Sequence, residues 1–498
     1  WVVGLRDLRQ PYHAVRRNFP VLGNMRFLLE SIGPEVYQYF IEKRTEAAPF
    51  SKDDRAVVYQ RAKDVNDTMS FGTRHDVYSE GFEWVSHSIW PKKVPPHHQR
   101  VLIGGPLCTH PYSAARLNIS AMSYGALSDH AILALNTGAA AGNFYHNTGE
   151  GGVSRFHLAP AGDIVWNIGT GYFGCRDPDS ATPKFYPDRF AARAVDPRVK
   201  MIELKISQGA KPGHGGMLPG AKVTEAIAEA RGVEVGETCH SPPTHSAFSD
   251  ARGLCRFIGQ LRELSGGKPV GFKLCIGQKV EFATIVGAMI ETGITPDFIT
   301  VDGAEGGTGA APPEFSNHVG FPMKDGLSFV HNILLGAGLR RDIKLIASGK
   351  VLTGFSMVRT AALGADVMNS ARAFMFALGC IQSLKCANNT CPTGITTSNP
   401  VLMNGLVVET KAVRVENFQR NTLKNFFEMV GAMGLEDPGE LSPRHVMIRM
   451  AGGSTSKSYE EVFPTMEEGA LLRGDAGETG AEIQAVWDEA QEILKNTR

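Results

Sequence analysis

Eight short apolar runs, separated by segments of helical character, are the feature of this 498-residue sequence that most limits its possible folds. Runs that are apolar throughout, rather than alternating, are typical of strands buried on both faces of a parallel sheet. The runs are LNISA (117–121), NFYHN (143–147), IVWNI (164–168), MIELKI (201–206), VGFKL (270–274), DFITVD (297–302), KLIAS (344–348) and DVMNS (366–370). With helical candidates at 222–231, 279–292 and 354–364 between them, they predict an α/β fold, a (β/α)8 TIM barrel. A doubly wound open sheet is the alternative.

The segments on either side of the predicted barrel lack this alternation of short apolar runs and helical segments. Helical, aromatic sequence at 24–44 leads into the Pro- and His-rich linker WPKKVPPHHQR at 90–100. Amphipathic helices are predicted at 416–434 and 481–496, and we interpret them as wrapping or as an oligomer contact, so we expect a homo-oligomer. We divide the chain into a helical N-terminal extension with a linker (1–100), the barrel (101–400) and a helical C-terminal extension (401–498).

Charge and composition limit the classes of binding partner and the cellular compartment that we expect. The chain has 51 basic and 51 acidic residues and no run of like charges, so we expect small-molecule or protein partners and no nucleic acid. Eight cysteines without regular spacing favour a reducing compartment, and we predict a cytoplasmic protein. No apolar run reaches the roughly 18 residues that span a bilayer. The start at Trp1 leaves room for a membrane anchor upstream of residue 1, and hence for membrane association.

Three of the cysteines are crowded into one stretch, GCIQSLKCANNTCPTG at 379–394. The spacing of Cys380, Cys386 and Cys391 is C-x5-C-x4-C, and Pro392 follows the last of them. Three thiolates suit an iron–sulfur cluster with one open corner, whereas a structural zinc site usually has four protein ligands. The alternative is three idle thiols. The other cysteines show no ligand spacing and are expected to be ordinary buried thiols: Cys108, Cys175, Cys239, Cys255 and Cys275.

Small and basic residues follow the last two predicted strands. Gly349 with Lys350, and Ala371 with Arg372, each precede a predicted helix start, whose dipole favours an anion. Barrels of this class commonly hold a phosphate after strands seven and eight. The sequence therefore predicts a phosphate site there, with solvated surface charges as the alternative for the two basic residues.

A phosphate site beside an iron–sulfur loop suggests a flavin mononucleotide (FMN) lying over the barrel mouth. Lys273, near the end of strand five, would then point inward near the ring, where a cation stabilises negative charge on reduced flavin. The competing interpretation is that Lys273 forms a structural pair with a buried acid such as Asp302.

Five motifs, in order along the chain, make the resemblance to a known family specific. They are SAMSYGALS (120–128), NTGEGG (147–152), QGAKPGHGGMLPGAKV (208–223), EGGTGAAP (305–312) and GCIQSLKCANNTCPTGITT (379–397). Together they resemble the FMN and iron–sulfur synthase domain of glutamate synthases, and in particular the shorter FMN-binding glutamate synthase family proteins.

This resemblance implies cofactors, a reaction and roles for individual residues. It implies that Cys380, Cys386 and Cys391 hold a [3Fe-4S] cluster, and that FMN reduces 2-iminoglutarate formed from 2-oxoglutarate and ammonia. Lys273 would stabilise the reduced flavin, and Glu150 or Lys211 would orient a carboxylate substrate or relay protons. The predicted cofactor-binding residues are Ser120, Ala121, Met122, Ser123, Gln208, Lys273, Asp302, Gly303, Gly307, Ser348, Gly349, Lys350, Ser370, Ala371 and Arg372.

The sequence also departs from the family pattern. It has neither the glutaminase domain with its N-terminal cysteine nor the C-terminal β-helical domain of the large glutamate synthases. His214 stands where the family usually has Glu, and Ser246 with Ala247 where it has His-Asp, which brings the 2-oxoglutarate substrate into question. His214 either takes part in proton transfer or hydrogen-bonds its glycine loop.

The sequence-based prediction is an FMN and [3Fe-4S] oxidoreductase that reduces an imino or oxo acid. No G-x-G-x-x-G fingerprint follows a strand, so we expect an external electron donor such as a ferredoxin or a reductase subunit. Two alternatives stay open: an electron-transfer subunit without catalysis that keeps both cofactors, and an FMN-dependent enzyme of the 2-hydroxy acid oxidase kind.

Overall fold

The computed structural model describes residues 1–497, and its centre is a closed barrel of eight parallel strands. Each strand pairs with the next along the chain, and the eighth pairs with the first. We label the strands β1 (Leu117–Ile119), β2 (His146–Asn147), β3 (Ile164–Ile168), β4 (Val199–Lys205), β5 (Val270–Leu274), β6 (Phe298–Asp302), β7 (Lys344–Ser348) and β8 (Val367–Ser370). The (β/α)8 prediction is confirmed, and closure excludes the open sheet.

The predicted apolar runs became strands because their side chains are buried on both faces. All five residues of β3, of β5 and of β6 are buried. The bounds of β3, β5 and β7 coincide with the predicted runs. The run at 143–147 is the least accurate, since only its last two residues pair as β2.

Helices follow every strand and cover the barrel. The three predicted between strands are present, as Glu225–Arg231, Lys279–Thr292 and Gly354–Ala362. The others around the barrel are Asp129–Ala141, Arg155–Leu158, Pro187–Ala194, Ala251–Leu264, Pro313–His318, Met323–Gly336 and Arg372–Leu378. Side-chain caps define several starts, as where Ser128 accepts a hydrogen bond from the Ala131 N–H.

An antiparallel hairpin, Arg100–Ile103 with Tyr112–Ala115, packs on the amino-terminal end of the barrel. Its residues Ile103 and Tyr112 belong to a buried cluster that includes the barrel residues Tyr145, Met201 and Phe298. Because this end is filled, the carboxyl ends of the strands form the end of the barrel that is available for a site.

The sequence after the barrel contributes both helices and strands. Its helices are Pro400–Met403, Val408–Ala432, Tyr459–Val462, Ala470–Arg473 and Gly477–Asn496. Strands Val446–Arg449 and Ser456–Ser458 form a sheet with Glu83–Val85 from the segment before the barrel. The Glu83 carboxylate in this sheet binds Lys324, Arg359 and Tyr459. These strands were not predicted.

The first residues of the chain form a compact unit of their own, Trp1–Val57 with Gly72–His75. It contains helices Val2–Arg9, Ala14–Asn18 and Gly23–Val36, the last continued by a π-helical turn, and the start of helix Lys52–Lys63. Among residues 1–497, no helix combines the length and apolar character needed to cross a membrane.

Candidate active site

The carboxyl ends of β1, β7 and β8 meet through their serines. The Ser120 N–H donates to the Ser370 carbonyl at 3.0 Å, and the Ser120 and Ser348 hydroxyl oxygens lie 3.4 Å apart. All three serines are buried. The structure therefore brings together three of the predicted cofactor-binding residues.

Arg372 lies across the mouth from β8 toward the loop after β6. Its guanidinium donates to the Glu305 carbonyl. A Cβ added to Gly307 would lie 3.0 Å from Arg372 Cδ, so glycine leaves room for this side chain. Burial lowers the pKa of Arg372 to about 10, partly offset by Asp302 and Glu305, and the guanidinium stays charged at neutral pH.

The predicted phosphate site after β7 is followed, as expected, by the start of a helix. Lys350 has a left-handed backbone, with φ of 50°, and helix Gly354–Ala362 begins four residues later. Thr353 and Ser356 form a capping box at that helix, in which the Ser356 N–H donates to Thr353 Oγ1. The capping side chains accept hydrogen bonds from the N–H groups of Leu352, Thr353 and Ser356, so these three donors are already used. The phosphate site at Gly349 and Lys350 stays a prediction.

Lys273 is buried at the end of β5 and pairs with Asp302 at the end of β6. Its Nζ lies 3.3 Å from Asp302 Oδ2, which also accepts the Gly209 N–H at 2.9 Å. Burial opposes the charge on Lys273, but the Asp302 and Glu203 carboxylates more than offset it and raise its pKa. The side chain is therefore a permanent cation at the mouth.

Glu150 and Lys211 lie in one small pocket, together with Lys205, which the sequence analysis did not single out. The Glu150 carboxylate binds Lys205 Nζ at 2.9 Å. Burial opposes ionisation of Glu150, but Lys205 outweighs it, so the pKa of Glu150 is lowered. Burial lowers the pKa of Lys211, partly offset by Glu150, and its Nζ donates to the Ala310 carbonyl at 3.3 Å. The signal that could have identified Lys205 is its place at the carboxyl end of β4.

The pocket holds about 20 Å³ beside the Glu150–Lys205 pair. Gln208 and His214 also line it. The His214 side chain is exposed and its Nδ1 lies 2.7 Å from the Gly215 carbonyl, a contact with its glycine loop. Ser246 does not line this pocket, and its hydroxyl donates to the Pro183 carbonyl. Of the two places where residues differ from the family pattern, His214 and Ser246 with Ala247, only His214 lines the pocket.

His245 is a further functional candidate that sequence reasoning missed. It is buried, with Nε2 2.8 Å from the Lys205 carbonyl and Nδ1 3.0 Å from the Tyr172 hydroxyl. Burial lowers its pKa to about 4, so the ring is neutral at physiological pH and supports the backbone of Lys205.

Close backbone contacts account for the glycines of two of the motifs. A Cβ on Gly209 would lie 1.7 Å from the Gly303 carbonyl oxygen, where the loops after β4 and β6 meet. Gly149 has φ of 64°, and a Cβ there would lie 2.5 Å from the Ser123 nitrogen. Only glycine allows the loops after β1 and β2, and those after β4 and β6, to approach so closely.

The loop after helix Arg372–Leu378 carries the three clustered cysteines. The Tyr59 hydroxyl donates to the Cys380 carbonyl, and Lys222 Nζ donates to the Cys386 carbonyl at 3.0 Å. Cys391 is buried, with Sγ 3.2 Å from Thr393 Oγ1. Within residues 1–497, no three His, Cys, Asp or Glu side chains are arranged to hold a metal ion. The three thiols thus share one loop, and their role as ligands of a cluster stays a prediction.

The other cysteines are free thiols in the structure. Cys175, Cys239, Cys255 and Cys275 are buried, as expected, whereas Cys108 is partly exposed. A buried position in an apolar setting makes a thiol a poor nucleophile, and burial raises the pKa of Cys255 to about 11.

Comparison with known proteins identifies the family of the chain. The model for the conserved region in glutamate synthase matches residues 105–436. The glutamate synthase large subunit-like protein YerD of Bacillus subtilis is 36% identical over 91% of this chain and 93% of its own length. The archaeal-type glutamate synthase [NADPH] of Thermotoga neapolitana is 33% identical over 67% of this chain, which spans 62% of that protein.

A solved mandelate oxidase is similar at 13% identity and a TM-score of 0.43 over 87% of this chain and 99% of its own. The class of protein that the structure itself defines is a (β/α)8 barrel with ion pairs at the carboxyl end of its strands. The sequence matches are more specific: the chain belongs to the glutamate synthase family.

Proposed function

We propose that this protein is an FMN-dependent oxidoreductase that reduces an imino or oxo acid, as in the formation of glutamate from 2-oxoglutarate and ammonia. The observation that carries the proposal is the group of paired charges at the mouth, where the buried Lys273 binds Asp302 and the partly buried Lys205 binds Glu150. Electrons would come from an external donor, such as a ferredoxin or a reductase subunit.

The residues at the mouth fit FMN. The Ser120 and Ser348 hydroxyls and the Arg372 guanidinium would offer hydrogen-bond donors to a phosphate, and Gly307 leaves space beside the arginine. The Ser370 hydroxyl donates to the Val351 carbonyl at 2.6 Å and helps to fix the end of β8. When bound, FMN would supply the hydride. The chain would supply the cation Lys273, whose charge offsets negative charge on the reduced ring.

The pocket residues would bind the substrate and move protons. Lys211, whose pKa is lowered by burial, is a better proton donor than an ordinary lysine, and its charge would bind a substrate carboxylate. Condensing ammonia with an oxo acid releases water, so two protons must reach the carbonyl oxygen and two must leave the nitrogen. Glu150, kept ionised by Lys205, is placed to accept a proton.

The [3Fe-4S] cluster is part of the proposal on the cysteine spacing alone. Iron quantitation after anaerobic purification tests it directly. About three irons per chain, lost together when Cys386 is replaced by Ser, would support the cluster. Protein that contains FMN but no iron would contradict the proposed cluster without contradicting the proposed flavin site.

One observation favours an electron-transfer role without catalysis. The pocket beside the Glu150–Lys205 pair holds only about 20 Å³. Anaerobic turnover assays distinguish the three candidate functions. They use 2-oxoglutarate plus ammonia, other oxo acids plus ammonia and, in the oxidative direction, 2-hydroxy acids. Glutamate formation supports the proposal, oxidation of a 2-hydroxy acid supports an oxidase, and no turnover with an intact flavin supports electron transfer.

The identity of the donor needs its own assay. The names of the Thermotoga relatives specify NADPH, so NADPH, NADH and reduced ferredoxin are each supplied to the oxidised protein. Flavin bleaching by ferredoxin but not by the nicotinamides is the result we expect. Direct and rapid bleaching by NADPH would replace the protein donor in the proposal.

A further inference from the structure

The first 41 residues of the chain carry an exposed apolar surface. Within residues 1–41, 19 large apolar side chains are exposed, against 22 in the whole of residues 42–497. Trp1 and Phe40 are almost fully exposed, and Phe19, Leu28 and Leu29 are more than half exposed. Single exposed apolar side chains are ordinary, but so many on one short segment mark a surface that binds something apolar.

The interior of the same segment is polar. Asp7 and Gly23 are the two buried residues among residues 1–41. The Asp7 carboxylate accepts hydrogen bonds from the Val21 N–H at 2.9 Å and from Asn24 Nδ2 at 2.6 Å. A segment folded for water buries apolar side chains and leaves carboxylates outside. This segment has the reverse arrangement, which is the one expected when the surroundings are apolar.

The helices of this segment are too short to cross a bilayer. Val2–Arg9 has 8 residues, Ala14–Asn18 has 5 and Gly23–Val36 has 14, whereas a membrane span needs roughly 20. Short helices with an exposed apolar face lie in the plane of the membrane interface, with that face among the upper parts of the lipid chains. The geometry therefore favours contact along a membrane surface.

The charges of the segment match an anionic surface. Residues 1–30 contain two acidic residues and five arginines, whereas residues 31–498 contain 46 basic and 49 acidic residues. The arginines are Arg6, Arg9, Arg16, Arg17 and Arg26. Of the two acids, Asp7 is buried and Glu30 is paired with Arg26 at 2.7 Å. Anionic headgroups attract arginines, whereas a second copy of the chain would bring like charges together at this face.

We propose that residues 1–41 bind the surface of an anionic membrane. Their apolar side chains lie among the lipid chains, and the exposed Arg6, Arg9 and Arg17 lie at the headgroups. The interaction is made by residues of this chain and depends on no segment upstream of residue 1. It rests on no part of the proposed function, since neither FMN, the cluster nor a substrate takes part.

Vesicle flotation of the full chain is the direct test, with vesicles of phosphatidylcholine alone and of phosphatidylcholine with about one third phosphatidylglycerol. We expect binding to the anionic vesicles to be at least about tenfold stronger, and to weaken as salt screens the charges. Replacing Arg6 and Arg9 together by Gln should weaken it about 30-fold, because each arginine near an anionic surface contributes to binding.

A pair of apolar replacements tests the other half of the surface. Leu28→Ser with Leu29→Ser changes two side chains that are 61% and 60% exposed, and should weaken binding to the anionic vesicles at least about tenfold. The matched control is Val413→Ser with Leu472→Ser, at side chains that are 55% and 57% exposed elsewhere in the chain. It should bind as wild type does, and equal melting temperatures of all variants would show that folding is unchanged.

Three results would overturn the proposal. One is a wild-type chain that floats with neither kind of vesicle. Another is equal binding by wild type, Leu28→Ser with Leu29→Ser, and the control, which would assign the lipid contact to other residues. The third is a dimer, seen by light scattering without lipid, that Leu28→Ser with Leu29→Ser dissociates, because a second copy would then cover the face. None of these results bears on FMN content or turnover, so the proposed function is tested separately.

Discussion

Of the lysines Lys205, Lys273 and Lys211 at the barrel mouth, two form ion pairs with carboxylates and the third does not. Lys205 and Lys273 bind Glu150 and Asp302 respectively. Among residues 1–497, Lys211 Nζ donates to the Ala310 carbonyl and binds no carboxylate directly. An arriving carboxylate would therefore find in Lys211 a cation whose bonding capacity is least used by the protein.

Replacing Lys211 by Met should weaken substrate binding rather than the later steps. A hydrogen bond to a charged group is worth about 1.5–3 kcal/mol, so we expect the KM for the oxo acid to rise roughly 10- to 100-fold. Lys457→Met, on the exposed strand Ser456–Ser458, is the control and should be silent. An unchanged KM with a reduced kcat would contradict the binding role.

The lowered pKa of Lys211 predicts that the KM for the oxo acid depends on pH. Burial lowers the pKa of Lys211 below the ordinary lysine value of 10.5. Its charge is present at low pH and lost as pH rises through the lowered pKa, so the wild-type KM should rise at alkaline pH, beginning below pH 10.5. In Lys211→Met the KM should show no such rise, and a rise of the same size there would assign it to another group.

Among the elements, the loops after the strands set the shape of the mouth through close backbone contacts. At Gly209 a Cβ would lie 1.7 Å from the Gly303 carbonyl oxygen. Gly209→Ala must push the loops after β4 and β6 apart, at a cost of about 1–3 kcal/mol. Thermal unfolding should show the loss, together with weaker FMN binding.

Gly277→Ala is the control for this prediction, since a Cβ there meets no atom within 4 Å. It should keep the wild-type melting temperature and FMN affinity. Equal effects of the two alanines would show that backbone entropy, rather than the contact between loops, explains the loss.

Sequence patterns predicted the barrel well because each strand is a continuous apolar run, but they could not predict the pairing of distant side chains. The strands Glu83–Val85 and Val446–Arg449 are short and only partly buried, so they carry no run that a pattern would detect. Lys205 lies in ordinary sequence and lines the pocket beside Glu150 of the loop after β2, while His245 contacts the Lys205 carbonyl without lining the pocket. The cysteine cluster was visible from spacing, but spacing does not fix where the thiols point.

On the scale of the whole molecule, Glu83 joins the segment before the barrel to the barrel and to the segment after it. Its carboxylate binds Lys324 and Arg359 of two barrel helices and the Tyr459 hydroxyl near the end of the chain. A single carboxylate thus connects parts of the chain that are far apart in sequence.

Glu83→Gln should destabilise the protein by about 3 kcal/mol, because it leaves two partly buried cations without their partner. Burial opposes ionisation of Glu83, but Arg359 and Lys324 outweigh it and lower its pKa below 4.5. Its contribution is therefore present above about pH 4.5 and is lost as pH falls through the lowered pKa. Urea unfolding should show the gap between wild type and Glu83→Gln shrinking below pH 4.5, and a gap independent of pH would contradict the ionic account.

The central claim is that the charged mouth binds FMN and passes its electrons to an imino acid. The most direct measurement reduces the anaerobic FMN-loaded protein and mixes it with 2-oxoglutarate and ¹⁵N-ammonium, following flavin absorbance and ¹⁵N-glutamate together. We predict flavin reoxidation with one glutamate formed per flavin in wild type, and loss of both in Glu150→Gln with FMN still bound. A flavin that stays reduced under these conditions, with no labelled glutamate, would contradict the claim.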